Sequence, residues 1–231
     1  MKELLKIIKD FPDDFENNYP GVINAITDYI KFSKAKIKLT KEGDFVVSKE
    51  NILDFDKSFE NILKVLIKTY HKSVRDSKTG LFNFDFFNEM LNIRIKQSLR
   101  DKEPLILIMI DIDFFKRIND NYGHLIGDDV LIELSRMLEK SVRTSDVVAR
   151  FGGEEFIILI NNSEIDEIQM ITKRIVDNIN NSNLLKKYKI KVSGGISWLA
   201  DGDDSQSLIN RADSALYEAK NNGRDRFIVV N

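Results

Sequence analysis

The sequence predicts an α+β domain, a mixed sheet with helices packed on it in the split βαβ manner, preceded by a small and mostly helical module. Three observations carry that prediction. The six-residue apolar run LILIMI, Leu105 to Ile110, is continuous enough to be a strand covered on both faces. Two further apolar stretches, DVVARF and FIILI, are joined through Gly152-Gly153, a two-residue connection that suits a tight hairpin with positive φ. The other strand candidates are separated by amphipathic segments long enough for helical crossovers, so strands of both directions share one sheet.

Taken in order, Pro12 and Pro20 punctuate the first twenty residues, with helical stretches at 2–10 and 21–33. IKLTKEGDFVVS, Ile37 to Ser48, reads as a short hairpin around Glu42-Gly43-Asp44. Apolar residues at Ile52, Phe55, Phe59, Leu63, Leu66 and Tyr70 then form one helical seam. Its partner is either the same helix of a second chain or the helices of its own module. The expected domains are residues 1–73 and 74–231. In the second, a helix face of Phe86, Phe87, Met90 and Leu91 precedes the Leu105–Ile112 strand. Next come a helix with Val130, Leu131, Leu134, Met137 and Leu138 inward, the hairpin, and a helix with Ile165, Ile168, Ile171, Ile175 and Ile179 inward. The strand KIKVSGGISWL, a helix with Leu208, Ile209, Ala212, Ala215, Leu216 and Ala219 inward, and the strand RFIVV complete the chain.

Composition narrows the function. With 35 Lys and Arg against 37 Asp and Glu in 231 residues, the chain carries a net charge of -2. That is no field for capturing a nucleic acid polymer, so any phosphate must be held by a few placed cations. The absence of cysteine excludes thiolate metal sites and fits a reducing compartment. No apolar run is long enough to span a bilayer, so the expectation is a cytoplasmic protein without a membrane partner.

The residues with chemical promise gather at strand ends. Asp111 and Asp113, two apart, leave the buried strand on one side. They serve either as turn and cap residues or as ligands of a cation. Glu154 and Glu155 follow the two glycines; a hairpin flanking the central strand would bring them beside Asp111. Oxygen ligands without His or Cys suit Mg²⁺ or Mn²⁺, whose shell is completed by water and phosphate oxygens.

The pieces DSKTGLFN, IDIDFFKRINDNYGHLIGDDVL, RTSDVVARFGGEEF, SGGIS and RADSALYEAKNNGRDRF, in this order and spacing, resemble the GGDEF domain of diguanylate cyclases from about Asp76 to Val230. The signature here is GGEEF, with Glu154 keeping the carboxylate. The resemblance implies a nucleotide-cyclase, palm-like sheet and condensation of two GTP into cyclic di-GMP and pyrophosphate across a homodimer. It implies two Mg²⁺ or Mn²⁺ ions per site, held by Asp111, the carbonyl of Ile112 and Glu154, with Glu155 in metal or proton handling and Asp113 unassigned. It further implies guanine contacts from Asn119 and Asp128, and triphosphate contacts from Lys116, Lys220, Arg224 and the N–H groups of Phe114 and Phe115. Without it, Asn119 reads as a helix cap, Asp128 as a solvated acid in a helix first turn, and Lys220 and Arg224 as cations at a helix C-terminus.

Arg143 and Asp146 of RTSD, with Arg174 on the next helix, match the family's inhibitory product site for cyclic di-GMP; otherwise they are a surface pair. Lys78 stands where the family usually has Leu and Phe84 where it usually has Arg. Both fall outside the catalytic pieces and are expected to bear on local packing. Two rivals to an active cyclase stay open: a catalytically silent module that binds GTP or cyclic di-GMP, and a hybrid cyclase, whose members resemble this chain except for Ser in place of Asp128.

Overall fold

The computed structural model describes residues 72–163 and 165–230 in full and, ahead of them, the backbone of two short strands. The chain divides into two compact units, Met1–Val74 and Arg75–Asn231. In the first, β1 (Lys36–Leu39) pairs antiparallel with β2 (Phe45–Ser48), Lys36 opposite Ser48, which is the hairpin read from the sequence. Its turn, the helical stretches 2–10 and 21–33 and the seam from Ile52 to Tyr70 lie outside the described residues.

The second unit runs α1 (Phe84–Asp101), β3 (Leu105–Ile112), α2 (Phe115–Tyr122), α3 (His124–Ser141), β4 (Val147–Gly152), β5 (Glu155–Asn161), α4 (Ile165–Asn181), α5 (Asn183–Lys187), β6 (Val192–Trp198), α6 (Ser205–Asn221) and β7 (Phe227–Val230). Its strands form one sheet in the order β4-β5-β3-β6-β7. β3 is central and antiparallel to both neighbours, while β6 and β7, linked by α6, are parallel. The sheet is therefore mixed, as predicted.

Alternation along β3 divides the core in two. Ile106, Ile108, Ile110 and Ile112 face one cluster with α2, α3, α4 and α5, whereas Leu105, Leu107 and Met109 face another with α1 and α6. Each fully buried Leu or Ile contributes roughly 1.5–3 kcal/mol. That apolar support on both faces fixes the strand whose end carries two acids. On β6, a Cβ at Gly195 would lie 2.0 Å from the Ala212 carbonyl, so only glycine lets α6 lie flat on the sheet. This contact sets where the last turn of α6 ends.

Three details depart from the sequence reading. Ile165, at the first position of α4, is exposed, while Ile168, Ile171, Ile175 and Ile179 are buried as expected. The hairpin turns at Gly153-Glu154, since Gly152 already pairs with Glu155 across a bulge at Phe151, and of the two glycines only Gly153 has positive φ, 40°. A short helix, α5, capped by the Ser182 side chain, intervenes before β6, which starts at Val192.

Candidate active site

The site is built at one end of β3. Asp111 lies on the α6 face, and the strand register sets it opposite Glu155 of β5 and Ser193 of β6. Ile112 N–H points to the Glu154 carbonyl at 3.4 Å, which draws the hairpin tip over the strand end. Phe114 then takes a left-handed conformation, φ 57°, and turns the chain sharply into α2. The first N–H groups of α2 have no intrahelical acceptor, which makes its start a place for anions. Lys116 is exposed on that first turn.

Asp111, Glu154 and Glu155 lie close enough to repel one another. Burial first, and then the neighbouring Asp111 charge, push both glutamates above the usual carboxylate range. Burial likewise pushes Asp111 up, and Lys220, whose Nζ donates to Asp111 Oδ2 at 2.9 Å, only partly offsets it. Lys220 comes from the last turn of α6, the helix seated by Gly195.

Asp113 is buried and fully engaged. Its Oδ1 accepts from the Ser193 hydroxyl at 2.7 Å and its Oδ2 from the Asp225 N–H at 3.0 Å, with Arg224 Nε 4.0 Å from Oδ1. It thereby anchors the turn after α6, where Arg224 and Asp225 are left-handed at φ 64° and 48°. Arg224 lies past the helix end, and its guanidinium covers the exposed Phe114 ring at 4.5 Å.

On α2, Asn119 packs against Gly127 of α3, where a Cβ would fall 2.0 Å from its Oδ1; Asp128 is the next residue, one turn into α3. Asp128 accepts from Lys78 Nζ at 2.5 Å. This corrects the expectation that Lys78 bears on packing: it reaches Asp128, one of the residues expected at the site. Phe84 does bear on packing, with its ring edge-on to Phe151 at 4.6 Å. The loop carrying Lys78 is wired to the hairpin tip. Asp76 Oδ1 accepts from the Thr79 N–H and hydroxyl, and Arg150 bridges Asp76 at 3.1 Å to the Gly153 carbonyl at 2.6 Å.

A family described as "Diguanylate cyclase, GGDEF domain" matches residues 73–226. The chain belongs to the GGDEF family. Diguanylate cyclase A of Treponema denticola is 35% identical over 198 residues, covering 80% of this chain and 53% of that protein. Diguanylate cyclase DgcP of Pseudomonas aeruginosa is 38% identical over 162 residues, 69% of this chain and 24% of that protein. The chain thus spans about half the length of the first relative and less of the second. Among solved structures, the active GGEEF domain of a diguanylate cyclase from Vibrio cholerae is 32% identical with a TM-score of 0.60, covering 64% of this chain and 97% of that one. The coiled coil and GGDEF domain of DgcB from Caulobacter crescentus, in complex with c-di-GMP, has a TM-score of 0.71 at 24% identity, covering 75% and 94%, a likeness of fold.

In this GGDEF domain the donor chemistry fits a hard divalent cation. Mutually repelling carboxylates face one lysine, and a cation would relieve the charge that burial makes costly. Among the described residues no three acidic, His or Cys side chains gather as a self-sufficient cage. Asp111, Glu154 and the Ile112 carbonyl would therefore leave coordination positions to water and phosphate oxygens, as Mg²⁺ prefers.

RTSD lies away from this end. Asp146 is buried, its Oδ2 accepting the Arg143 N–H at 2.8 Å, so the acid shapes the turn into β4; its Oδ1 is buried with no hydrogen-bond partner among the described residues. The Arg143 guanidinium pairs with Glu167 of α4, and Arg174 is exposed seven residues on, two turns along the same face. Sequence reasoning missed Arg150, Ser193, Asp225, Gly127 and Glu167. Arg150 and Ser193 sit inside quoted motifs, but a contact spanning 74 or 80 residues leaves no trace in spacing. No helix among the described residues is long and apolar enough to cross a membrane.

Proposed function

We propose that this GGDEF domain is a diguanylate cyclase that converts two GTP into cyclic di-GMP and two pyrophosphates. The observation that carries the reading is the convergence of Asp111, Glu154 and Glu155 at the end of β3 with Lys220 between them and the start of α2 alongside. Asp111, Glu154 and the carbonyl of Ile112 would hold two Mg²⁺ or Mn²⁺ ions, which when bound would supply charge neutralisation at the α-phosphate and activation of the 3′-hydroxyl. Glu155, raised first by burial and then by the Asp111 charge, takes a position for metal or proton handling. Lys220, paired with Asp111 in this structure, would bind the triphosphate from the same position at the last turn of α6. Arg224, Lys116 and the N–H groups of Phe114 and Phe115 complete the phosphate cradle. Asn119 and Asp128 read the base: a carboxylate accepts from guanine N1–H and N2–H₂, a donor pair adenine lacks.

Each protomer offers one such site and the product has two phosphodiester links, so two protomers meet face to face, each 3′-hydroxyl attacking the α-phosphate held by the other. Cyclic di-GMP feeds back at Arg143, Asp146 and Arg174. Mass spectrometry of products after incubation with GTP, with ATP and with both, in Mg²⁺, tests the reading. The expected product is cyclic di-GMP from GTP alone; nucleotide binding without any product identifies the silent module, and a mixed GMP-AMP product identifies the hybrid enzyme.

A further inference from the structure

Lys78 is exposed, and its side chain reaches Asp128. Its side chain and that of Asp128 are 39% and 38% exposed, and an exposed pair of this kind is worth about 0–1 kcal/mol. Its loop, by contrast, is held firmly. Asp76 N–H bonds the Leu81 carbonyl, Gly80 N–H bonds Asp76, Arg75 reaches the Gly80 carbonyl, and Arg150 ties Asp76 to the hairpin tip. A rigid loop thus presents an ammonium beside the carboxylate oxygen Oδ1, leaving Oδ2 as a second acceptor, and Asn119 packs against the preceding residue, Gly127.

We infer that Lys78 is a specificity-determining residue that reads guanine O6, so that the Lys78–Asp128 pair as a unit matches the guanine Watson–Crick edge. The inference rests on the proposal that Asp128 contacts the base. Along the edge, guanine offers an acceptor at O6, then donors at N1–H and N2–H₂. The pair offers a donor at Lys78 Nζ, then acceptors at Asp128 Oδ1 and Oδ2. Adenine inverts the first two positions, setting its amino group against the ammonium. Hypoxanthine keeps the first two and lacks the third. A base-reading lysine also accounts for a cation at the rim of a site whose triphosphate end is served by other residues.

The test is equilibrium competition against a fluorescent guanine nucleotide on the full chain, with Ca²⁺ in place of Mg²⁺ to hold turnover down. The competitors are GTP, 6-thio-GTP, whose sulfur is a weak acceptor at position 6, and ITP, which lacks the 2-amino group. The expected preference for GTP over 6-thio-GTP is about tenfold, the size of one charge-assisted hydrogen bond. Lys78→Met reduces that ratio to about twofold or less and leaves the GTP to ITP ratio intact, whereas Lys78→Arg retains both. Asp128→Ser collapses the GTP to ITP ratio. A 6-thio-GTP ratio unmoved by Lys78→Met, with Asp128→Ser behaving as stated, overturns the Lys78 assignment alone. If neither substitution moves its ratio, the base does not sit at this pair and both readings fall. Equal loss of both ratios in Lys78→Met marks the lysine as a structural prop and overturns the inference too.

Discussion

Asp113 shows how much one buried carboxylate can organise. It satisfies the Ser193 hydroxyl and the Asp225 N–H and faces Arg224, so it fixes the turn from which Arg224 reaches forward. Asp113→Ala strands two donors at about 1–3 kcal/mol each if they stay dry. The expected outcome is a lowered melting temperature together with a KM for GTP raised several-fold, read by thermal melts and initial rates. An unchanged KM with the lowered melting temperature would mean that Arg224 does not engage the triphosphate. At RTSD, the proposed product site, Arg143 is occupied by Glu167, which a product phosphate binding there would have to displace. Glu167→Gln is therefore expected to lower the cyclic di-GMP concentration that halves the rate, and Arg143→Ala to raise it, both with little effect on the uninhibited rate. The acids at 111, 154 and 155 were legible in the sequence because they interrupt or follow strongly apolar strands. Lys78 was not, because its partner lies 50 residues away and nothing local marks a lysine as a base reader.

The elements were legible wherever apolar periodicity was strong, as in β3, whose eight residues are all buried, and in α6, whose predicted inward face is buried throughout. What periodicity does not encode is how ends are finished. The bulge at Phe151 moves the hairpin turn by one residue, and Ile165, apolar and in phase with the buried face, is exposed at the first position of α4. The loop from Asp76 to Leu81 was legible as a motif and not as a brace, because its strength comes from Arg150. Burial acts to raise the Asp76 carboxyl, but its bonds from Thr79 and the Arg150 charge outweigh it and hold the carboxyl below its ordinary 3.8. A depressed folded value means that Asp76 contributes stability above 3.8 and loses it as pH falls through the folded value. Asp76→Asn should then lower the melting temperature at pH 7, with the gap to the parent closing below pH 3.8 in a series of thermal melts. A gap that persists undiminished in acid would assign the effect to lost packing.

At the scale of the molecule, one domain carries one set of carboxylates while the proposed reaction joins two GTP, so the rate should rise faster than linearly with dilute enzyme. If the seam from Ile52 to Tyr70, read from sequence, pairs with the same helix of a second chain, it would raise the effective concentration of two catalytic domains. Leu63→Glu with Leu66→Glu should lower specific activity most at nanomolar enzyme and least at micromolar. Equal activity of both forms at nanomolar concentration would mean that the seam packs within its own module. The central claim is that the acids at the end of β3 and the hairpin tip hold the cations for GTP condensation, and Glu154→Gln tests it most directly because it removes charge and keeps volume. Cyclic di-GMP formation from GTP in Mg²⁺ is measured by mass spectrometry for the parent and the variant, beside GTP affinity and melting temperature. The account predicts a loss of at least about 100-fold in rate with melting temperature and GTP affinity in Ca²⁺ changed little. A folded Glu154→Gln protein that forms cyclic di-GMP at the parent rate would contradict it.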